Sequence, residues 1–503
     1  MNSQLTFLSL LLTTLLINFS LAYQCSQTPD IAFLPLLEED ISFLNSNSTL
    51  PNLRIHSDFS SIEENTLKEY IENDLLPPII DYFQSALHVK RPLKSTITVP
   101  ASQINLCDTP TPKILHSEGV EADLSLLVTT KSDKTSTCAA KAYACRRASS
   151  GRPVISKLII NTEFLPLPNG SYSIHERNVN LVMHEILHAL GFAEPSFQHF
   201  LDENGNKRVN HVRTVKINGE DRTILDVEPL TKRIRKHFGC PSIQGALLEN
   251  DGGFGTKNYH FERRVFFNEI MSSGLIPDAR LSELSLAVLE GSGWYQPDYS
   301  FAEPFFFGQG QGCEFYNGAN VTANTEEYCV EKSSSIGCAP TGRGKGRCLS
   351  DYRSDGYKFF SPRLQYDCAN IEAEKTASLK GFEAFGVKAE SRCFSGTLSF
   401  EKKEQKSTGF CFKFQCKGED LDTVLEVQIG NKKAICKSQG PIKVEGLSGE
   451  LNCPDPLAYC NTVGEKFCPK NCMGRGDCVN NKCVCKQGFT GQNCSMRIAT
   501  TNC

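Results

Sequence analysis

The sequence predicts an α+β fold for roughly the first three hundred residues, followed by a cysteine-rich and mostly β region. In the first part, short apolar segments bounded by turn residues alternate with longer segments of helical periodicity. The chain has 503 residues and 23 cysteines, and the cysteines concentrate after Cys313. Glycines and short strand-like segments dominate beyond Trp294, the only tryptophan. This length suffices for a large core and two or three domains.

The N-terminal segment 1–22 is predicted to be a secretory signal peptide. It contains the apolar run "LTFLSLLLTTLLINFSLA" and ends in a small-x-small pattern before Tyr23. An uncleaved anchor is the alternative, since no basic side chain precedes the run, but a stop-transfer pattern is missing. Residues 23–52 carry few structural signals and are interpreted as a short propeptide.

The first long helical pattern is "NTLKEYIENDLLPPIIDYFQSALHV", in which Pro77 and Pro78 are expected to break or kink the helix. The segments "STITVP", "DLSLLVTT" and "VISKLIIN" are short and apolar, which predicts strands. "ERNVNLVMHEILHALGF" then predicts a buried helix that ends at Gly191.

Charge and composition exclude some partners and indicate a compartment. The net charge is −4 and no long basic run is present, so nucleic-acid binding is not expected. No later segment reaches about 18 uninterrupted apolar residues, so no transmembrane span is expected.

The cysteine density and the signal peptide predict a secreted, extracellular or cell-surface protein. Sequons at Asn47, Asn169, Asn320 and Asn493 are candidate glycosylation sites.

The motif His184-Glu185-x-x-His188 predicts a zinc site. Four helical residues correspond to about 6 Å of rise and about 40° of rotation, so both imidazoles leave the same face. Both can reach one ion at about 2.0–2.1 Å, and Glu185 can accept a proton from water there. A chance match is the alternative; the apolar flanks, the helical pattern and the exported chain argue for zinc.

A third protein ligand is needed. On the next turn, where a third histidine would be expected, the sequence has Glu194. Four histidines are candidates. His199 lies in a segment that begins again with a proline and does not set a fixed geometry. His211 and His237 lie in polar, charged stretches and are therefore expected to be solvated. His260 follows glycines that permit tight turns, and the next residues alternate between large apolar and charged side chains.

"HEILHALGF", followed after about seventy residues by "HFERRVFFNEIM", resembles the leishmanolysin family of metzincin zinc proteases. In that family a long insertion precedes the third histidine. The resemblance implies one zinc ion per chain held by His184, His188 and His260, Glu185 as general base and Met271 as the Met-turn beneath the metal. It also implies protein or peptide substrates and a catalytic region at 53–297, with an upper subdomain to about 191. The insertion and lower subdomain would span 192–297, with a cleft between the subdomains.

The resemblance extends to "CRRASSGRPVISKLIIN", "HFGCPSIQGALLENDGG" and "SLAVLEGSGWYQPDYSFAEPFFFGQGQGCEF". It implies the disulfides Cys240–Cys313 and Cys107–Cys145. Family members are zymogens in which a propeptide cysteine caps the zinc. Cys25 is therefore a candidate cysteine switch, and a disulfide from Cys25 to Cys138 or Cys503 is the alternative.

The C-terminal part divides into a cysteine-rich domain at 298–462 and a small module at 465–495. "CPKNCMGRGDCVNNKCVCKQGFTGQNC" resembles an epidermal-growth-factor-like (EGF-like) module. That resemblance implies the pairs Cys468–Cys478, Cys472–Cys483 and Cys485–Cys494. The module contains the tripeptide RGD at 475–477, which indicates either cell adhesion or simply the glycines of a tight turn, the latter being favoured.

Two functions from different classes follow. The first is a zinc-dependent endopeptidase, secreted or associated with the cell surface. The second is a non-catalytic adhesion or binding protein that retains the protease scaffold. Retention of His184, Glu185, His188 and His260 favours the enzyme, because a decayed enzyme tolerates loss of Glu185 first.

Overall fold

A computed structural model describes residues 37–42, 49–274, 276, 278–318, 327–329, 336–368, 391–399, 408–418, 420–462, 468–479 and 482–498. The predicted signal peptide, Cys25, most of the predicted propeptide and the sequons at Asn47 and Asn320 lie outside the described residues. Among the described helices, none combines the length and hydrophobicity that a bilayer crossing requires.

Helices and strands alternate up to residue 297, and strands dominate afterwards. The α-helices are α1 (Thr66–Glu69), α2 (Leu76–Ala86), α3 (Lys113–His116), α4 (Tyr172–Leu190), α5 (Glu194–Phe197), α6 (Glu228–Phe238), α7 (Arg263–Phe266), α8 (Glu283–Gly291), α9 (Gly312–Asn317) and α10 (Pro456–Thr462). The strands of the first part are β1 (Ile55–Asp58), β2 (Leu87–Val89), β3 (Asn105–Leu106), β4 (Thr109–Pro110), β5 (Leu124–Lys131), β6 (Ala140–Arg147), β7 (Pro153–Asn161), β8 (Val212–Ile217), β9 (Glu220–Leu225), β10 (Ala246–Leu247) and β11 (Tyr295–Pro297). Those of the second part are β12 (Ile336–Cys338), β13 (Gly344–Ser350), β14 (Lys358–Asp367), β15 (Ser391–Gly396), β16 (Thr408–Lys417), β17 (Val424–Ile429), β18 (Lys432–Cys436), β19 (Gly440–Ile442), β20 (Leu451–Cys453), β21 (Gly476–Val479), β22 (Lys482–Cys485), β23 (Phe489–Thr490) and β24 (Met496–Arg497).

A four-stranded sheet in the order β1-β5-β7-β6 supports the N-terminal half. β1, β5 and β7 are parallel, whereas β6 pairs antiparallel with β7 and forms an edge. β5 and β7 are the predicted strands "DLSLLVTT" and "VISKLIIN", and both are buried along most of their length, as strands covered on both faces are. The prediction of a third strand at "STITVP" is wrong, because only Ile97 makes a bridge in this segment, to Val120.

The proline-containing helical segment is interrupted where the sequence predicts an interruption. α1 passes into a π-helix at Tyr70–Leu75, and α2 then begins at Leu76 with Pro77 and Pro78 in its first turn. Proline lacks an N–H, and the first turn of a helix is where that donor is not needed. The interruption therefore costs no hydrogen bond within α2.

The predicted motif helix is α4, which begins at Tyr172 and ends at Leu190. It packs against β6, β7 and α2, and most of its residues are buried. Gly191 follows with φ of +123°, and a Cβ there would lie 2.7 Å from Cζ3 of Trp294. Only glycine tolerates both the backbone conformation and the close contact, so the helix must stop here.

The longest helix in the 192–297 region, α6, was not predicted from sequence. α6 covers the stretch "EPLTKRIRKHF", whose basic residues suggested only a polar patch. Leu230, Ile234 and Phe238 are buried and spaced four apart, the period of one helical face. The apolar spacing was present in the sequence, and the intervening charges obscured it.

The region after residue 298 is antiparallel and disulfide-rich. It contains the sheets β12-β13-β14 and β18-β17-β16-β15-β20-β19. Its disulfides are Cys329–Cys348, Cys338–Cys393, Cys368–Cys411, Cys416–Cys460 and Cys436–Cys453. The structure also contains the five pairs that the resemblances imply: Cys107–Cys145, Cys240–Cys313, Cys468–Cys478, Cys472–Cys483 and Cys485–Cys494. Cys138 is disulfide-bonded as well. Its partner is neither Cys107 nor Cys145, because these two cysteines pair with each other.

The described residues of the C-terminal module, 468–479 and 482–495, are docked on the first part of the chain. Met473 is fully buried within the main hydrophobic core. Lys470 Nζ lies 2.8 Å from Oε2 of Glu303, with both side chains buried. Arg475 Nε lies 2.8 Å from Oδ2 of Asp81 on α2. The module is therefore packed against the first part of the chain through apolar and ionic contacts.

Candidate metal centre

Three histidine side chains from two elements converge on one point. His184 and His188 leave α4 one turn apart, and His260 approaches from the loop before α7. Their Nε2 atoms are 3.1 Å apart between His184 and His188, and 3.2 Å from each of these to His260. Three nitrogens at about 2.0–2.1 Å from a tetrahedral zinc ion would be about 3.3 Å apart. The donor set therefore fits zinc in type, number and spacing.

Backbone carbonyl groups hold the other nitrogen of each ring. Nδ1 of His184 lies 2.6 Å from the carbonyl oxygen of Ile270, and Nδ1 of His188 lies 2.5 Å from that of Phe192. Nδ1 of His260 lies 3.1 Å from the carbonyl oxygen of Thr256. A carbonyl can only accept, so each ring carries its proton on Nδ1 and directs the Nε2 lone pair to the centre.

Burial keeps the three imidazoles neutral. It lowers the pKa of His184 to about 4. Burial also lowers the pKa values of His188 and His260 well below the ordinary range, and the neighbouring imidazoles lower them further. Neutral imidazole is the form that binds a metal ion, so the site does not have to lose protons before it can bind one.

Glu185 is a buried carboxylate beside the three histidines. It is 3% exposed, and burial raises its pKa to about 8, opposed by an N–H from Ala142 and the charge of Lys141. Its Oε2 has no hydrogen-bonding partner among the described residues. A buried oxygen of this kind is costly unless it serves a ligand or a reaction.

The segment around Met271 joins the two ligand-bearing elements. The Ile270 carbonyl accepts from His184 on α4. The next carbonyl, that of Met271, accepts from the N–H of Phe261, 2.9 Å away and adjacent to His260. The Met271 side chain is fully buried. The segment predicted as the Met-turn therefore contacts both halves of the histidine cluster.

The other three candidate histidines lie outside the cluster. The expectation that His211 and His237 are solvated is wrong: His211 is 8% exposed and bonds the Phe197 carbonyl at 2.7 Å. His237 bonds the Phe307 carbonyl at 2.9 Å and stacks on Phe305. His199 is half-buried against Gly151.

Glu194, at the position where an uninterrupted motif would place the third ligand, is exposed. Its Oε1 accepts from Nδ2 of Asn258 at 3.2 Å. It therefore contacts the loop that carries His260. The sequence did not predict this link, because the two side chains are 64 residues apart. It did not predict the carbonyl groups that orient the rings either, because backbone atoms carry no residue-type signal.

These features define a metal-dependent hydrolase site, and comparison with known proteins identifies the family. The leishmanolysin family model matches residues 61–463, which is most of the chain. The chain therefore belongs to the leishmanolysin family of zinc metallopeptidases.

Individual relatives agree with this assignment. The chain is 27% identical over 365 residues to the ciliated left-right organizer metallopeptidase of Danio rerio, covering 69% of this chain and 57% of that protein. It is 32% identical over 234 residues to a leishmanolysin-like peptidase of Caenorhabditis elegans, covering 39% and 35%. It is 24% identical over 353 residues to leishmanolysin of Leishmania chagasi, covering 63% and 57%. The matched part thus spans about half the length of these relatives.

Proposed function

We propose that this protein is a zinc-dependent endopeptidase that hydrolyses peptide bonds in proteins. The observation that carries the proposal is the convergence of three Nε2 atoms within 3.1–3.2 Å of one another, beside the buried carboxylate of Glu185. The family assignment supports the same reaction class.

Each site residue has a distinct role in this proposal. His184, His188 and His260 hold one zinc ion per chain, which when bound supplies Lewis acidity toward water and the scissile carbonyl. Glu185 takes a proton from the attacking water and then gives it to the leaving amine. Met271 supports the histidines from below and is not a ligand.

The proposal includes location and processing. The predicted signal peptide at 1–22 and the disulfide framework support a secreted or cell-surface protein. The propeptide at 23–52 and the role of Cys25, as a zymogen switch or a disulfide partner, stay predictions. We also propose that the chain divides into a catalytic region, a cysteine-rich domain and an EGF-like module. The three disulfides within the module support its EGF-like character.

The test measures zinc content and peptide cleavage in the purified mature protein and three variants. Glu185→Ala should keep the metal and lower turnover by about 10²–10⁴-fold. His260→Ala should lose both metal and activity. His211→Gln is the matched control, because the glutamine amide can replace the Nε2 hydrogen bond to Phe197 while His211 lies outside the cluster. This variant should retain both.

Two results would contradict the proposal. Retention of zinc and activity by His260→Ala would mean that the third ligand is another residue. Zinc binding without cleavage by the wild-type protein, after removal of the propeptide, would support instead a non-catalytic binding protein on the protease scaffold.

A further inference from the structure

Glu269 is a buried carboxylate that joins α8 to the segment carrying Met271. It is 1% exposed. Its Oε2 accepts from the N–H of Met271 at 2.6 Å. Its Oε1 accepts from the hydroxyl groups of Ser282 and Ser285 at 2.8 and 2.7 Å, and from the N–H of Ser282 at 3.3 Å. Each oxygen therefore binds a different element of the fold.

A carboxylate in this environment is costly to bury. Among the described residues no lysine or arginine forms an ion pair with Glu269, so its charge is stabilised by neutral donors and by the N-terminal end of α8. Burial raises its pKa to about 7 even though these donors oppose the shift. An apolar side chain would fill the space at lower cost, so the hydrogen bonds must accomplish something that packing cannot.

Those hydrogen bonds determine where two peptide groups lie. The Glu269 carboxylate holds the N–H of Met271, and the N–H of Ile270 donates to the Arg280 carbonyl at 2.7 Å. The carbonyl of the peptide unit between Ile270 and Met271 accepts from Nδ1 of His184 at 2.6 Å. The amide that Glu269 holds and the carbonyl that His184 contacts thus belong to one rigid peptide plane.

We propose that Glu269 is a positioning residue for the metal ligand His184, acting through the peptide group between Ile270 and Met271. By holding the N–H side of this plane, Glu269 sets the direction of the carbonyl oxygen on its other side. That oxygen orients the His184 ring and directs Nε2 to the metal. The inference rests on the proposed function, because it takes His184 to be a zinc ligand.

The expected effect follows from the behaviour of outer partners in metal sites. Loss of a group that orients a ligand histidine typically weakens metal binding by about 10–100-fold. Glu269 acts through one peptide group and does not touch the ring, so the lower end, about 10-fold, is expected. A purely structural role, as a cap for α8, would lower thermal stability and leave zinc affinity unchanged.

The experiment compares Glu269→Gln with Glu303→Gln in the full mature chain. Glu303 is also a buried carboxylate and accepts from the N–H of Leu281 at 3.1 Å, next to the start of α8. None of its hydrogen bonds among the described residues goes to 269–272. Zinc dissociation constants are measured by competition with a chelating dye, and melting temperatures are measured without metal. The glutamine at 269 cannot accept at both ends as the carboxylate does.

Both variants should melt at lower temperature than the wild type, and only Glu269→Gln should bind zinc about 10-fold more weakly, with Glu303→Gln within about 2-fold. Equal zinc affinity of Glu269→Gln and wild type would overturn the inference. If Glu269→Gln does not fold, Ser285→Ala carries the test, since it removes one hydrogen bond from Oε1; unchanged zinc affinity there would also overturn it. A wild-type protein that binds no zinc would overturn the proposed function itself.

Discussion

Arg343 Nη2 lies 2.7 Å from Oε2 of Glu176, and this ion pair joins the cysteine-rich region to the helix that carries His184 and Glu185. The same guanidinium donates through Nε to Oδ1 of Asp367 at 2.7 Å. Arg343 is 5% exposed. Helix α4 is thus held near its N-terminus by a cation from a region far along the chain.

Arg343→Ala should destabilise the protein strongly. It leaves the carboxylates of Glu176 and Asp367 in a largely buried site without their cation, and breaking a buried ion pair in this way costs about 3–5 kcal/mol. Thermal unfolding is the measurement. Arg347→Ala is the control, because Arg347 is exposed on β13, the strand that begins directly after Arg343, and should change stability by less than about 0.5 kcal/mol. Equal melting temperatures for the two variants would contradict this account.

The RGD tripeptide should not mediate cell attachment. Arg475 is 6% exposed, its Nε binds Asp81, and its guanidinium lies 4.5 Å from the Phe489 ring centre. A receptor cannot reach this side chain in the folded module, although Asp477 is exposed. Cell spreading on immobilised protein should therefore be the same for wild type and Asp477→Glu. A clear loss of spreading with Asp477→Glu would show that the tripeptide is used.

The described sequons should differ in glycosylation when the protein is made in a secretory host. Asn169 is exposed, whereas Asn493 is fully buried and its Oδ1 accepts from Ser495 at 2.7 Å through the hydroxyl group. A glycan is bulky and requires an accessible amide. Asn169→Gln should therefore lower the mass by one glycan, and Asn493→Gln should not. A glycosylated peptide containing Asn493 would contradict the prediction.

His237 should make stability fall at acidic pH. Burial lowers its pKa in the folded protein to about 4, from an ordinary value of 6.5. As pH falls below 6.5 the unfolded chain binds a proton that the folded chain does not, so stability is lost between 6.5 and about 4. This loss is at most about 3 kcal/mol.

His237→Gln provides the comparison, because the glutamine amide can still donate to the Phe307 carbonyl and does not titrate. Melting temperatures measured from pH 7 to pH 4 should fall more steeply for the wild type than for this variant. Parallel curves would show that the His237 ring takes up its proton without loss of folding.

Much of the candidate site could be predicted from the spacing of residues that are close together in the sequence. The four-residue step from His184 to His188 fixes their common face through helix geometry alone, and Gly191 marks the helix end because its φ is +123°. The third histidine was different. His188 and His260 are 72 residues apart, and local rules left four histidines open. Only the family resemblance singled out His260, and the fold brings it to the other two.

Elements whose character depends on distant partners were missed or wrongly interpreted. β6, "AKAYACRR", is rich in alanine and has little intrinsic strand preference, and it forms because β7 provides a partner. His237 looked solvated because its neighbours in sequence are charged, yet it packs on Phe305 from beyond α8. Conversely, "STITVP" has strand propensity and finds only one bridge, at Ile97.

The sequence by itself determined the chemistry available: two histidines and a glutamate on one helix, a glycine that ends it, and cysteines enough for a disulfide framework. Tertiary structure alone decided which atoms meet. It placed the Ile270 carbonyl on His184, the Ala142 amide on Glu185 and the Glu269 carboxylate on the Met271 amide. Residue type and spacing act over a few residues of chain. Hydrogen bonds to backbone groups depend on how distant segments pack, and a backbone group is the same in every residue except proline.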